Sequence, residues 1–185
     1  MGQRYTELSQ DLIQFIWNQS IFFVATAPAD GRVNLSPKGM DSLCVIDPNT
    51  VVWLNVTGSG NETAAHLLEN DRMTIMFCAF EGKPMILRLY GQAKVYHARD
   101  AEWSELAKCF EMIPGARQIF VLDIDLVQTS CGMGVPYFEY KGERDQLTDW
   151  AEKKGAEGIS EYWEKKNQVS LDGKPTGIFE GSEAV

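Results

Sequence analysis

Apolar positions change their spacing several times along the chain, and each change marks an element. Leu8, Leu12, Ile13, Phe15, Ile16 and Trp17 recur at helical spacing behind Thr6, with Glu7 in the first turn, which predicts an amphipathic helix over 6–19. Ile21 to Ala27 is a continuous apolar run of strand length, and Pro28-Ala29-Asp30-Gly31 reads as a hairpin turn leading to a second strand from Arg32 to Ser36. Further strands are expected over Ser42–Ile46 and Val51–Val56, separated by the turn Asp47-Pro48-Asn49-Thr50, and a helix over Glu62–Glu69.

Two long strands follow, Met73–Phe80 and Pro84–His97, joined by Glu81-Gly82-Lys83-Pro84. Gly91 interrupts the second, and a lone glycine in a strand marks a bulge or bend of the kind that a small closed sheet needs at its corners. Asp100 is expected to cap a helix carrying Trp103, Leu106, Ala107 and Phe110, and Gln118–Val127 reads as one more strand. Six or seven antiparallel strands with short flanking helices predict a mainly β chain built as a barrel.

Beyond Gln128 the composition shifts towards charge. Leu147, Trp150 and Ala151 sit among Asp149, Glu152, Lys153 and Lys154 at helical spacing, a second short helix is expected over 157–166 after Gly155, and Asp172 to Gly177 reads as a turn-rich, extended tail. This predicts a barrel domain over 1–130 and a C-terminal helical extension and tail over 131–185 packed on it.

The 185 residues, 44% hydrophobic and 11% aromatic, suffice for one sizeable core. A net charge of -9 argues against nucleic acid as a partner, so any basic site must be local. No stretch approaches the roughly 18 apolar residues of a spanning helix, and Met1-Gly2-Gln3-Arg4-Tyr5 lacks a secretory pattern. Gly2 and Thr6 match a myristoylation signal only loosely and lack a basic patch, so a cytoplasmic chain without membrane attachment is expected. Cys44, Cys78, Cys109 and Cys131 are far apart and, with only His66 and His97 beside them, predict buried thiols and no metal site.

Candidate chemistry concentrates between Val33 and Asn70. Asn34-Leu35-Ser36-Pro37-Lys38-Gly39 and Thr57-Gly58-Ser59-Gly60-Asn61-Glu62-Thr63 offer hydroxyls, amides, glycines and a cation around an apolar strand, the ingredients of a phosphate site. Each has a plainer reading. Lys38 also suits a solvated turn, Ser59, Asn61 and Thr63 also suit helix capping, and Trp53 also suits the core. Arg88, a cation within an apolar strand, must reach solvent, pair with a carboxylate or bind an anion. His66 reads as packed rather than catalytic, and Cys131 as a structural thiol, since no neighbouring base or cation activates it.

In order and spacing these segments resemble the pyridoxamine 5'-phosphate oxidase-like family of FMN-binding split β-barrels, over about residues 8–130. The carriers are the early helix and strand, Ser36-Pro37-Lys38-Gly39, Val52-Trp53-Leu54, Asn61 to Leu67, Asn70-Asp71-Arg72-Met73 and Leu87 to Ala93. The resemblance implies FMN at the interface of a homodimer, touched by both chains. It assigns Ser36, Lys38, Gly39, Ser59, Asn61 and Thr63 to phosphate and ribityl contacts, Trp53 and Leu54 to the isoalloxazine, and Arg88 to the phosphate or flavin edge across the dimer. The loop Gly132-Met133-Gly134-Val135-Pro136 reads first as a plain loop, with approach to the flavin as its alternative.

The chain departs from true pyridoxamine phosphate oxidases. Their phosphate loop carries adjacent arginine and lysine, whereas Asn61-Glu62 stands here, and Trp150 and Trp163 match no C-terminal motif of theirs. What remains is an FMN-dependent oxidoreductase acting on an unidentified small molecule, with no catalytic side chain evident. The alternatives are a non-enzymatic flavin or haem carrier or sensor, and an acidic interaction module without a cofactor, for which Glu62 speaks.

Overall fold

A computed structural model describes residues 2–180. Eight antiparallel strands form one sheet: β1 (Gln3–Tyr5), β2 (Phe22–Thr26), β3 (Asn34–Lys38), β4 (Leu43–Asp47), β5 (Thr50–Val56), β6 (Arg72–Cys78), β7 (Ile86–Tyr96) and β8 (Ala116–Ser130). Their order is β3-β2-β6-β7-β8-β5-β4, with β1 added along β8. β1 has no counterpart among the expected strands, because its three residues are exposed and show no apolar alternation.

The sheet curls. β2 and β5 lie four steps apart in the strand order, roughly 19 Å if the sheet were flat at about 4.8 Å per step. Yet the rings of Phe22 on β2 and Trp53 on β5 meet edge to face at 6.4 Å. The side chains of both halves, including Val24, Ile75, Leu89, Phe120 and Leu122, therefore share one core. β3 and β4 end the order without bonding each other, which leaves the barrel split between them.

Gly91 makes the tight curvature possible. The β7–β8 register shifts between Tyr90 and Gly91, and a Cβ at Gly91 would stand 1.9 Å from the Asp123 carbonyl oxygen. No side chain fits there, so the expected bulge has a direct steric cause.

Helices cover the sheet. α1 (Gln10–Trp17) starts after Ser9, whose hydroxyl accepts the Leu12 N–H at 3.4 Å, and so begins later than the expected Thr6. α2 (Glu62–Leu67) and α3 (Trp103–Leu106) follow, the latter running into a 3₁₀ turn over Ala107–Cys109. That segment covers Val52, Leu54 and Ile119 on the outer sheet face, which explains why β5 reads as a continuous apolar run rather than an alternating one. α4 (Gln146–Lys166) is broken at Gly155, with φ 65, into the two helices the sequence predicts.

Beyond α4 the chain turns back instead of extending. Val169 pairs with Pro175, the Ser170 N–H donates to the Lys174 carbonyl at 2.8 Å, and Gly173 supplies the positive φ that closes the turn. The thiols also differ from expectation: only Cys78 is buried, Cys44 and Cys109 are half-buried, and Cys131 is exposed. Among the described residues no helix is long and apolar enough to cross a membrane.

Candidate functional site

β3 reverses the usual strand pattern. Leu35 faces solvent, while Asn34, Ser36 and Lys38 are half-buried on the inner face at alternate positions. Ser36-Pro37-Lys38 is thus edge strand rather than turn. The turn lies beyond, at Met40 and Asp41, which take left-handed φ of 62 and 49. Pro37 is accommodated because an edge strand has a free side.

The polar face of β3 looks across the split onto Trp53 and Asn55 of β5 and the start of α2. Between them lies a hollow of about 50 Å³, lined by Asn34, Ser36, Lys38, Trp53, Thr63 and Arg117 among others. Lys38 Nζ sits 4.9 Å from the centre of the Trp53 ring, and Trp53 in turn stacks on Phe120 at 4.7 Å. Among the described residues no carboxylate lies within ion-pair distance of Lys38. Burial, with the nearby Arg117 charge, pushes its pKa down to about 8, opposed by Glu62.

Arg117 closes the hollow from behind and is only 4% exposed. Its terminal nitrogens donate to the carbonyls of Gly58 at 3.2 Å and Gly60 at 2.7 Å and to Asn61 Oδ1 at 3.2 Å. Among the described residues its Nε has no partner. Burial lowers its pKa to about 10, which leaves it charged at neutral pH. Glu62 accepts backbone N–H groups, from Asn61 at 3.1 Å and from Leu171 at 3.3 Å. Its oxygens are thereby engaged.

The structure brings Ser36, Lys38, Trp53, Asn61 and Thr63 to one hollow. Within that set, Asn61 caps no helix: its amide donates to the Val169 carbonyl at 2.9 Å, and its oxygen receives Arg117. Thr63 Oγ1 accepts from Asn34 at 3.3 Å. Gly39 lies beyond the hollow, Ser59 is exposed outside it, and Leu54 points to the opposite sheet face, beneath α3. Arg88 points away from the core side chains Leu87 and Leu89 and donates to Ser130 Oγ at 3.1 Å. It does not meet Lys38 within the chain. His66, with Nδ1 3.0 Å from Thr26 Oγ1, is buried, and burial lowers its pKa.

Sequence reading missed Arg117. Its signal was a cation immediately before an apolar strand and soon after Gly115, a position where burial demands partners.

A donor set of two cations, one with an unpartnered N–H, plus hydroxyls and amides suits a phosphate-sized anion. A second, larger cleft of about 700 Å³ opens past Gly39, between Trp17, Phe22, Leu43 and Met112 on one side and Tyr140, Glu143 and Arg144 on the other.

Comparison with known proteins agrees with this architecture. Residues 8–131 match the family model described as pyridoxamine 5'-phosphate oxidase. The Aspergillus flavus protein ustO, a pyridoxamine 5'-phosphate oxidase family protein, is 38% identical over 92% of this chain and 76% of its own length. Among solved structures, HupZ from Group A Streptococcus is similar at 21% identity and TM-score 0.51, covering 64% of this chain and 91% of its own. A Lactobacillus delbrueckii protein provisionally named a pyridoxamine 5'-phosphate oxidase is also 21% identical, with TM-score 0.52, over 66% of this chain and 94% of its own. These two likenesses concern the fold.

Proposed function

The chain belongs to the pyridoxamine 5'-phosphate oxidase family, and on that premise we propose that it is a flavoprotein holding FMN by its phosphate in the Lys38 hollow. The observation that carries this reading is the pair of cations, Lys38 without a carboxylate partner and Arg117 with an unpartnered Nε, in a polar gap between β3 and β5. A buried cation left unpaired is costly unless an anion is its partner. Lys38, Ser36 and Thr63 contact the phosphate in this reading, with Arg117 supplying charge behind the loop.

The hollow is far smaller than the roughly 300–1,000 Å³ of a pocket that encloses a drug-sized ligand. The isoalloxazine therefore lies outside it and needs cover. A second copy of the chain supplies that cover in the proposed homodimer, and in this reading Arg88, on the outer face, serves the partner's flavin. Bound flavin supplies hydride or electron transfer, while the protein orients it and keeps water from one face. The 700 Å³ cleft past Gly39 gives a small substrate room.

The test is absorbance of the purified protein with added FMN, followed by addition of reduced nicotinamide. Flavin bound in proportion to chain and reduced with turnover supports an oxidoreductase. Flavin bound but never turned over with any donor identifies a carrier, and a colourless protein indifferent to FMN contradicts the proposal.

A further inference from the structure

The loop that walls the Lys38 hollow is shaped from outside itself. Thr57 to Asn61 contains two glycines and an exposed serine, and α2 after it has no side-chain cap. Arg117 takes the carbonyls of Gly58 and Gly60 on one side. The C-terminal segment holds it from the other side. Trp163 Nε1 donates to Thr57 Oγ1 at 2.8 Å, while the Asn167 amide donates to the Gly58 carbonyl at 3.0 Å and to Asn61 Oδ1. Asn61 answers through the Val169 carbonyl, and the Leu171 N–H holds Glu62 Oε1. Thr176 Oγ1 donates to the Asn167 carbonyl at 2.6 Å and keeps that residue in place.

We infer that Trp163 to Thr176 is a positioning element for the anion hollow, so that docking of this segment and binding of the phosphate group favour one another. The inference rests on the FMN reading for its natural ligand. Physically, the segment does two things for an anion. It fixes a glycine-containing loop whose disorder would otherwise have to be lost on binding. It also ties one oxygen of Glu62 to a backbone N–H, while Asn61 N–H holds the other, so the carboxylate is compensated rather than opposed to the ligand. Asn167 touches the loop and not the ligand space, so its role is positioning. Coupling between two such sites is reciprocal.

The test uses the full chain with Asn167→Ala and the milder Trp163→Phe, which removes the indole N–H bond and part of the ring while keeping an aromatic side chain. Three quantities are read: FMN affinity by flavin fluorescence quenching, the melting temperature without ligand, and hydrogen exchange of the 167–176 amides with and without FMN. The expected result is about tenfold weaker FMN binding in Asn167→Ala and a smaller loss in Trp163→Phe, with FMN slowing exchange of the tail in the native chain. Unchanged affinity in a folded variant, tail exchange indifferent to FMN, or tighter binding on loss of Asn167 overturns the inference. Tighter binding would mean that the tail competes for the hollow. If Asn167→Ala does not fold, Trp163→Phe and the native exchange data decide. If the native chain binds no FMN, the flavin reading fails separately, and inorganic phosphate is the probe: protection of the tail by phosphate upholds the coupling, and its absence ends it.

Discussion

Lys38 rests its ammonium over the face of Trp53, with Nζ 4.9 Å from the ring centre, and the far side of that ring is stacked on Phe120 at 4.7 Å. A cation over an aromatic face gains about 0.5–2 kcal/mol, less than an ion pair with hydrogen bonds gives in a dry site. The contact holds the charge in place without neutralising it. In the proposed reading the FMN phosphate is the anion that neutralises it.

Titration of Lys38 gives the first prediction. Its pKa of about 8 lies below the ordinary 10.5, so between those values the unfolded chain binds more protons than the folded one, and stability rises with pH across that window. Anion affinity runs the opposite way. FMN binding should weaken from about pH 8 upward, with the onset moved higher by the bound phosphate, in titrations from pH 7 to 10. Lys38→Arg, charged throughout, should bind without that step.

His97 makes the acid side measurable. Burial first, then the Arg99 charge, lowers its pKa to about 4, so it is neutral at pH 7. Protonation favours the unfolded chain, whose histidine titrates near 6.5. The stability it contributes is complete above 6.5 and is lost as pH falls to 4. The urea midpoint of His97→Gln should fall less between about pH 7 and about pH 4.5 than that of the native chain, and an equal fall would exclude His97 as the cause.

Gly91 tests the curl of the sheet. Alanine there places a methyl group against the Asp123 carbonyl, which only backbone movement relieves. Gly91→Ala should lose at least about 2 kcal/mol in urea melts. Gly134→Ala, where a Cβ meets nothing within 4 Å, should melt close to the native chain.

The barrel was legible because its apolar runs, turns and the Gly91 interruption follow local rules. The two C-terminal helices separated at Gly155 were legible for the same reason. β1 was not, since an exposed three-residue strand is defined only by its partner β8. β3 misled because its polar face points inward, towards the hollow, and its Leu35 outward. Local rules fail in this way at functional or strained positions. Lys38, Ser36 and Thr63, singled out by type and position, line one hollow. Arg117 and Asn167 were not singled out, because they act through the shape of a loop 56 and 106 residues away from them along the chain, and no spacing announces such a pairing.

The most direct test of the account is FMN affinity at neutral pH for the native chain and Lys38→Ala, both verified as folded. A charge-assisted contact of about 1.5–3 kcal/mol corresponds to roughly 10–150-fold in affinity. The account predicts saturable binding of one FMN per chain and a loss of that size in the variant. Equal affinity in the two proteins, or no saturable binding by the native chain, would contradict it.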